Sequence, residues 1–213
     1  MRYSALLRQT WAGVKVLLVL TVITGILYPL SVWAVSRIPG LDSRAEGSVV
    51  TYNGQPVGSS LIGTNPTGNQ YFHTRPSAEA SDFSLTDKTK LGLGAIDPSS
   101  SGASNLSQDS DVLYAQIAGR QALIAQREGV RPDQVPADAV TASASGLDPD
   151  ISPAYAYLQV ARVARVNHLS DTQVRQIVAD NVRGRPLGVL GDPAVNVLAL
   201  NLAVAKAVAA AHG

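Results

Sequence analysis

The side chains of this 213-residue sequence that could carry chemistry are few and scattered. His73, His168 and His212 could ligate a metal or move a proton, yet none has a second histidine or a carboxylate at ligand spacing on a shared helix face. Each reads as a structural or surface histidine. Asp109/Asp111 and Asp148/Asp150 set carboxylates two residues apart, a pattern able to grip a hard cation. No twelve-residue loop closed by a glutamate surrounds either pair, so both read as caps of helices and turns. The absence of cysteine removes thiolate chemistry, disulfides and cysteine zinc sites. There is no Gly-x-x-x-x-Gly-Lys phosphate loop, no Gly-x-Ser-x-Gly elbow and no His-Glu-x-x-His helix. Asp87-Lys88-Thr89 begins like the phosphorylated loop of P-type ion pumps, but Lys90 and Leu91 follow where that motif has Gly-Thr. Neither a metal site nor a catalytic group is expected.

The element with the clearest meaning is an apolar run from Val16 to Val35, with no charged side chain between Lys15 and Arg37. At ~1.5 Å per residue it makes ~30 Å of helix, the hydrocarbon thickness of a bilayer. Arg2, Arg8, Lys15 and Arg37 are the only charges before residue 40, and three of them precede the span. The positive-inside balance therefore puts residues 1–15 in the cytoplasm, 16–35 across the membrane and 40–213 outside. The rival is a secretory signal peptide with Val32 and Ala34 at its cleavage site. Against it, the run is longer than the ~7–15 apolar residues of such signals, and Arg37 follows. Thr21, Thr24, Gly25, Tyr28 and Ser31 recur at helical spacing, a stripe of small or hydrogen-bonding residues suited to packing on another membrane helix. A lone anchor that carries them by chance is the plain alternative. Pro29 is placed to kink the helix.

Residues 40–213 hold all sixteen acidic residues against thirteen basic ones, a net charge of about −3 with no nucleic-acid footprint. One α+β domain is expected, a small sheet covered by about four helices. Asn53-Gly54 between Ser48–Tyr52 and Val57–Ile62 predicts a hairpin. Loops around a short strand at Tyr71-Phe72 should follow, and residues 97–111 have the composition of a linker. Asp111 reads as the cap of one helix, Ser152-Pro153 as the start of a second, and Ser170 with Gln173 as the capping box of a third that Gly184 ends. Asp192-Pro193 should open the last, with Val195, Leu198, Leu202 and Ala205 on its apolar face.

The stretch Val140–Ala164 (VTASASGLDPDISPAYAYLQVARVA) resembles the C subunit of the Kdp potassium-transporting ATPase. Four further blocks fall in that family's order: GSSLIG at 58–63, YFHTRPSA at 71–78, SGASNL at 101–106 and VNVLALNLAV at 195–204. With the N-terminal span, the resemblance covers nearly the whole chain. Ala103 and Ala144 depart from the glycines frequent in the family, and Ala194 from its arginine.

The resemblance implies a non-catalytic subunit of a four-part pump in the bacterial inner membrane, single-pass with its N-terminus in the cytoplasm. Its partners would be the channel-like A subunit, the ATP-hydrolysing B subunit, the small F subunit and membrane lipid. It further implies a role in assembly and as a catalytic chaperone that raises the B subunit's affinity for ATP. No tightly bound cofactor is expected, and ATP would be met only through the complex. Gln159 is the residue to test for nucleotide contact, although the charge balance places it opposite the compartment that holds ATP; its alternative is a helix-surface or buried hydrogen-bonding amide. Tyr71, Phe72, Arg75, Ser101, Ser104 and Asn105 are candidate subunit contacts, which favours order over a linker for the last three. The competing class is an independent membrane-anchored extracytoplasmic enzyme or solute-binding protein, and a pure scaffold is the third.

Overall fold

The computed structural model describes residues 3–212 and divides the chain into two compact units, Met1–Ser48 and Val49–Gly213. The first unit is dominated by one continuous helical rod, Tyr3–Ser36, long and apolar enough to cross a membrane. It comprises α1 (Tyr3–Val22), a π-helical turn (Ile23–Leu27) and α2 (Tyr28–Ser36). The π turn lies where Pro29 demands it. A proline ring collides with the carbonyl four residues back, that of Gly25, and the turn relieves this by bonding the Tyr28 N–H to the Ile23 carbonyl, five residues away. The widened turn adds about one residue, so Tyr28 and Ser31 are rotated by roughly 100° relative to Thr21 and Thr24. The five small and polar positions therefore follow a bent path around the rod.

Trp11 and Trp33 each carry a cation one turn on, with Lys15 Nζ 5.5 Å and the Arg37 guanidinium 5.7 Å from the ring centres. At ~1.5 Å per residue the two tryptophans are ~33 Å apart along the rod, the spacing of aromatic belts at two membrane interfaces. The helix α3 (Asp42–Ala45) follows, and Glu46 returns to pair with Arg37 at 2.8 Å.

The second unit begins with the Asn53-Gly54 hairpin, β1 (Val49–Tyr52) against β2 (Gln55–Ser59). Both turn residues have positive φ, 51° and 76°, as a tight two-residue turn requires. The hairpin packs on the C-terminal helix: a Cβ at Gly58 would fall 3.1 Å from Leu198 Cδ2. From Ser60 to Ser110 the chain is irregular, with only isolated bridges between Ala80 and Ile96 and between Phe83 and Leu91. The expected strand at Tyr71-Phe72 does not form. Tyr71 lies in a bend, and side chains rather than another strand hold the segment.

The helices are α4 (Asp111–Glu128), α5 (Ala137–Val140), α6 (Pro153–Leu158), α7 (Val160–Val166), α8 (Asp171–Asn181) and α9 (Val197–His212). A second sheet of order β3-β5-β4 joins β3 (Asp150–Ile151), β4 (Val182–Arg183) and β5 (Ala194–Asn196), all antiparallel. The core lies where helices and sheet meet, and includes Phe72, Ile124, Tyr155, Val160, Val163, Val174, Val178, Val195 and Leu200.

Four boundaries differ from the sequence expectation. Ser110, not Asp111, caps α4, its Oγ accepting the Leu113 N–H, while Asp111 sits in the first turn where its charge suits the helix dipole. The expected helix from Ser152 is broken at Gln159 into α6 and α7. The strand β4 separates α8 from Gly184. The last helix starts at Val197 rather than Asp192-Pro193, because Ala194–Asn196 pairs with both neighbouring strands and Asn196 Oδ1 then caps the helix through the Ala199 N–H. Val195 is therefore a core strand residue. Val197, Leu200 and Val204 form the buried face of α9, and Leu198, Leu202 and Ala205 instead line a groove against the hairpin. The Ser170–Gln173 capping box forms in full.

Candidate functional site

The blocks that carry the resemblance converge on the irregular half of the domain, and buried polar side chains from the helices hold it there. Gln159 is fully buried at the break between α6 and α7. Its Oε1 accepts the His73 N–H and an Arg162 Nη2 hydrogen, each at 2.8 Å, and its Nε2 donates to the His73 carbonyl at 3.2 Å. Both ends of the amide are engaged, the arrangement a backbone partner would otherwise supply. Asn201 of α9 does the same one residue earlier: its Oδ1 accepts the Phe72 N–H at 2.7 Å and its Nδ2 donates to the Phe72 carbonyl at 3.0 Å.

Arg162, also buried, reaches the carbonyls of Asn69 and Tyr71 through Nη1 and the Glu128 carboxylate through Nε, at 3.0 Å to Oε2. Glu128, whose side chain is wholly enclosed, also takes Arg127 at 2.8 Å, and Arg127 Nη2 donates to the Tyr155 hydroxyl. Removing one partner from such a buried pair leaves a charge uncompensated, at a cost of about 3–5 kcal/mol. Burial pulls the Arg162 guanidinium below its ordinary range, and the Glu128 carboxylate opposes the shift.

Within the same segment, Asn65 Nδ2 donates to the carbonyls of Leu93 and Gly94, so Asn65 Oδ1 is the acceptor for the Thr74 N–H and for His73 Nδ1. Burial, helped by the positive charge of Arg127 and Arg162, lowers the His73 pKa to about 3. The imidazole is neutral near pH 7. On the other flank, Gln116 and Arg120 of α4 are buried and donate to the carbonyls of Ser84, Lys90, Leu91 and Val140. Desolvation lowers the Arg120 pKa to about 10, which leaves it charged.

The candidate contacts are distributed unevenly. Tyr71 is 39% exposed beside the α9 groove, a cavity of about 360 Å³. Phe72 is entirely in the core and presents nothing to a partner, which corrects its place among the contacts. Arg75 is half-buried and pairs with Asp148 at 3.1 Å. Ser101 is exposed and donates from Oγ to the Ser145 carbonyl, Ser104 is half-buried, and Asn105 is exposed at a positive φ of 50°. The 101–106 segment is fastened to the TASASGLD block, with the Gly102 N–H donating to the Ser145 carbonyl at 2.9 Å.

The two carboxylate pairs serve turns and ion pairs. Asp148 accepts the Asp150 N–H, Asp150 pairs with Arg183, and Asp109 accepts from the Ser107 hydroxyl. Asp87 is likewise closed on the N–H and hydroxyl of Thr89, which lower its pKa. Among the described residues no group of three or more His, Asp or Glu could hold a metal ion.

A rod long and apolar enough to cross a bilayer, followed by an α+β unit whose buried polar groups clamp its own main chain, fits a membrane-associated protein. The family model described as "K+-transporting ATPase, c chain" matches residues 10–206, and the chain belongs to that family. Similar curated proteins include the potassium-transporting ATPase KdpC subunits of Kineococcus radiotolerans, 47% identical over 95% of both chains, and of Bradyrhizobium diazoefficiens, 43% identical over 96% of this chain and all of the relative. That of Methylorubrum extorquens is 43% identical over 92% of this chain and 96% of the relative.

Proposed function

We propose that this chain is the non-catalytic accessory subunit of an ATP-driven potassium uptake complex, with its rod against membrane helices of the channel-like subunit and its α+β unit on the extracytoplasmic side. The observation that carries the reading is the full enclosure of Gln159, together with family membership. With both ends of its amide bonded to His73 and Arg162, Gln159 has a positioning role, and contact with ATP would require the domain to open. Any effect on ATP affinity then arises by conformational coupling: a subunit that binds one state of the pump better than another shifts that equilibrium by its differential affinity.

The test is the ATP affinity of the complex with and without this chain, and with Gln159→Asn. Coupling expects an altered affinity on removal of the chain. A pure scaffold expects no change, and direct contact expects Gln159→Asn to weaken ATP binding with no loss of thermal stability. The solute-binding alternative draws on the α9 groove lined by Tyr52, Val57, Thr64, Pro66, Tyr71 and Leu202. Tight binding of a small molecule by the isolated chain would favour that alternative.

A further inference from the structure

Between β4 and β5 the chain runs out to an uncharged tip, Pro186-Leu187-Gly188-Val189-Leu190-Gly191. Leu187 and Val189 are 89% and 76% exposed, the two most exposed large aliphatic side chains described in Val49–Gly213, and Leu190 beside them is 55% exposed. The charges at the foot of the loop neutralise one another. Arg185 Nη2 lies 3.2 Å from Asp192 Oδ1, and Arg183 pairs with Asp150. The tip has a defined shape: Gly188 N–H donates to the Arg185 carbonyl at 2.9 Å, Leu190 N–H donates to the Pro186 carbonyl at 3.1 Å, and Leu187, Gly188 and Gly191 all have positive φ. A leucine held in the left-handed region, with its side chain in water, is unfavourable on both counts for the isolated domain.

We propose that Leu187, Val189 and Leu190 form a docking knob that seats in an aliphatic pocket on the outward face of another subunit of the ATPase. The proposal rests on the accessory-subunit reading above. A neutral tip over self-compensated ion pairs can be covered by protein without burying an unpaired charge, and its preformed turns leave little conformational freedom to lose on docking. A lipid surface fits less well. Interfacial anchors combine apolar side chains with tryptophan or tyrosine and with cations free to reach headgroups, whereas this tip has no aromatic residue and both nearby arginines are paired.

The test uses the whole complex in detergent, with Leu187→Asn, which tolerates positive φ, combined with Val189→Ser. Leu85→Ser, at a leucine 55% exposed elsewhere in the unit, is the control. The knob expects at least a tenfold fall in the fraction of chain that co-purifies with the other subunits, with thermal unfolding of the chain unchanged or raised and an unaffected control. Unchanged co-purification in detergent overturns it. So does a defect that appears only in lipid vesicles, which would mark a lipid contact, or a change only in self-association, which would mark a second copy. If the unaltered chain fails to co-purify with any ATPase subunit, the accessory-subunit reading falls first and the knob with it.

Discussion

The side-chain amide of Gln159 holds the main chain of His73 at both ends, accepting its N–H at 2.8 Å and donating to its carbonyl at 3.2 Å, across 86 positions of sequence. One side chain thus replaces a strand neighbour for a segment that has none. Gln159→Ala strands two buried backbone groups and an Arg162 hydrogen, each at about 1–3 kcal/mol unless water enters. The expected outcome is a loss of at least about 3 kcal/mol in denaturant unfolding. Exchange of the His73 amide hydrogen should accelerate in step.

His73 makes stability depend on pH in a definite direction. Its folded pKa of about 3 lies below the ordinary 6.5, so between those values the unfolded chain binds the proton and the folded chain does not. The contribution is therefore complete above pH 6.5 and declines as pH falls toward 3, by up to ~1.4 kcal/mol per pH unit. Denaturation midpoints of the protein and of His73→Gln across pH 7 to 4 should diverge in slope, the variant being the flatter.

Gly146 is where three turns of the fold close on one another in space. Its φ is 72°, and a Cβ there would stand 2.7 Å from the Gly102 carbonyl oxygen and 3.1 Å from Ser77 Oγ. Gly146→Ala should cost more than ~1 kcal/mol from the backbone alone and displace the 101–106 segment. Faster hydrogen exchange at Gly102, whose N–H is bonded to the Ser145 carbonyl, is the measurement.

The rod makes a separate prediction. Thr21 and Thr24 return their hydroxyls to the Leu17 and Leu20 carbonyls, at 2.8 and 2.7 Å, so neither needs a partner for its hydrogen. With Gly25 they leave a low, apolar surface on which another helix can approach closely. Replacing all three with leucine should release the chain from the complex without altering its own membrane insertion; co-purification equal to that of the unaltered protein would end the packing model.

How much of this is legible in sequence depends on the range of the interaction. Asn53-Gly54 specifies its hairpin, and Ser170 with Gln173 its helix start, because each acts within four residues. Pro29 marks the disturbance in the rod, but not that a π turn would absorb it. The irregular half is illegible because its order comes from Gln116, Arg120, Gln159, Arg162 and Asn201, which a local window reads as the solvent side of amphipathic helices. Gln116 and Arg120 do stand at i and i+4 ahead of the fully buried Ile124, and Gln159 stands four before the fully buried Val163. That phase with the core is the signal the sequence carries. The start of α9 is hidden for a related reason: β5 is three residues long and exists only because Ile151 and Val182 lie on either side of Val195.

The central claim, that the α+β unit acts from outside the membrane and not on ATP directly, meets its most direct test in the absence of cysteine. Ser101 is exposed, so Ser101→Cys in the assembled complex gives one thiol on a background this chain leaves blank. Intact cells would be treated with a membrane-impermeant maleimide. The account expects labelling from outside. Labelling that requires opened cells, with detergent raising it no further, would place the unit with the nucleotide and contradict the account.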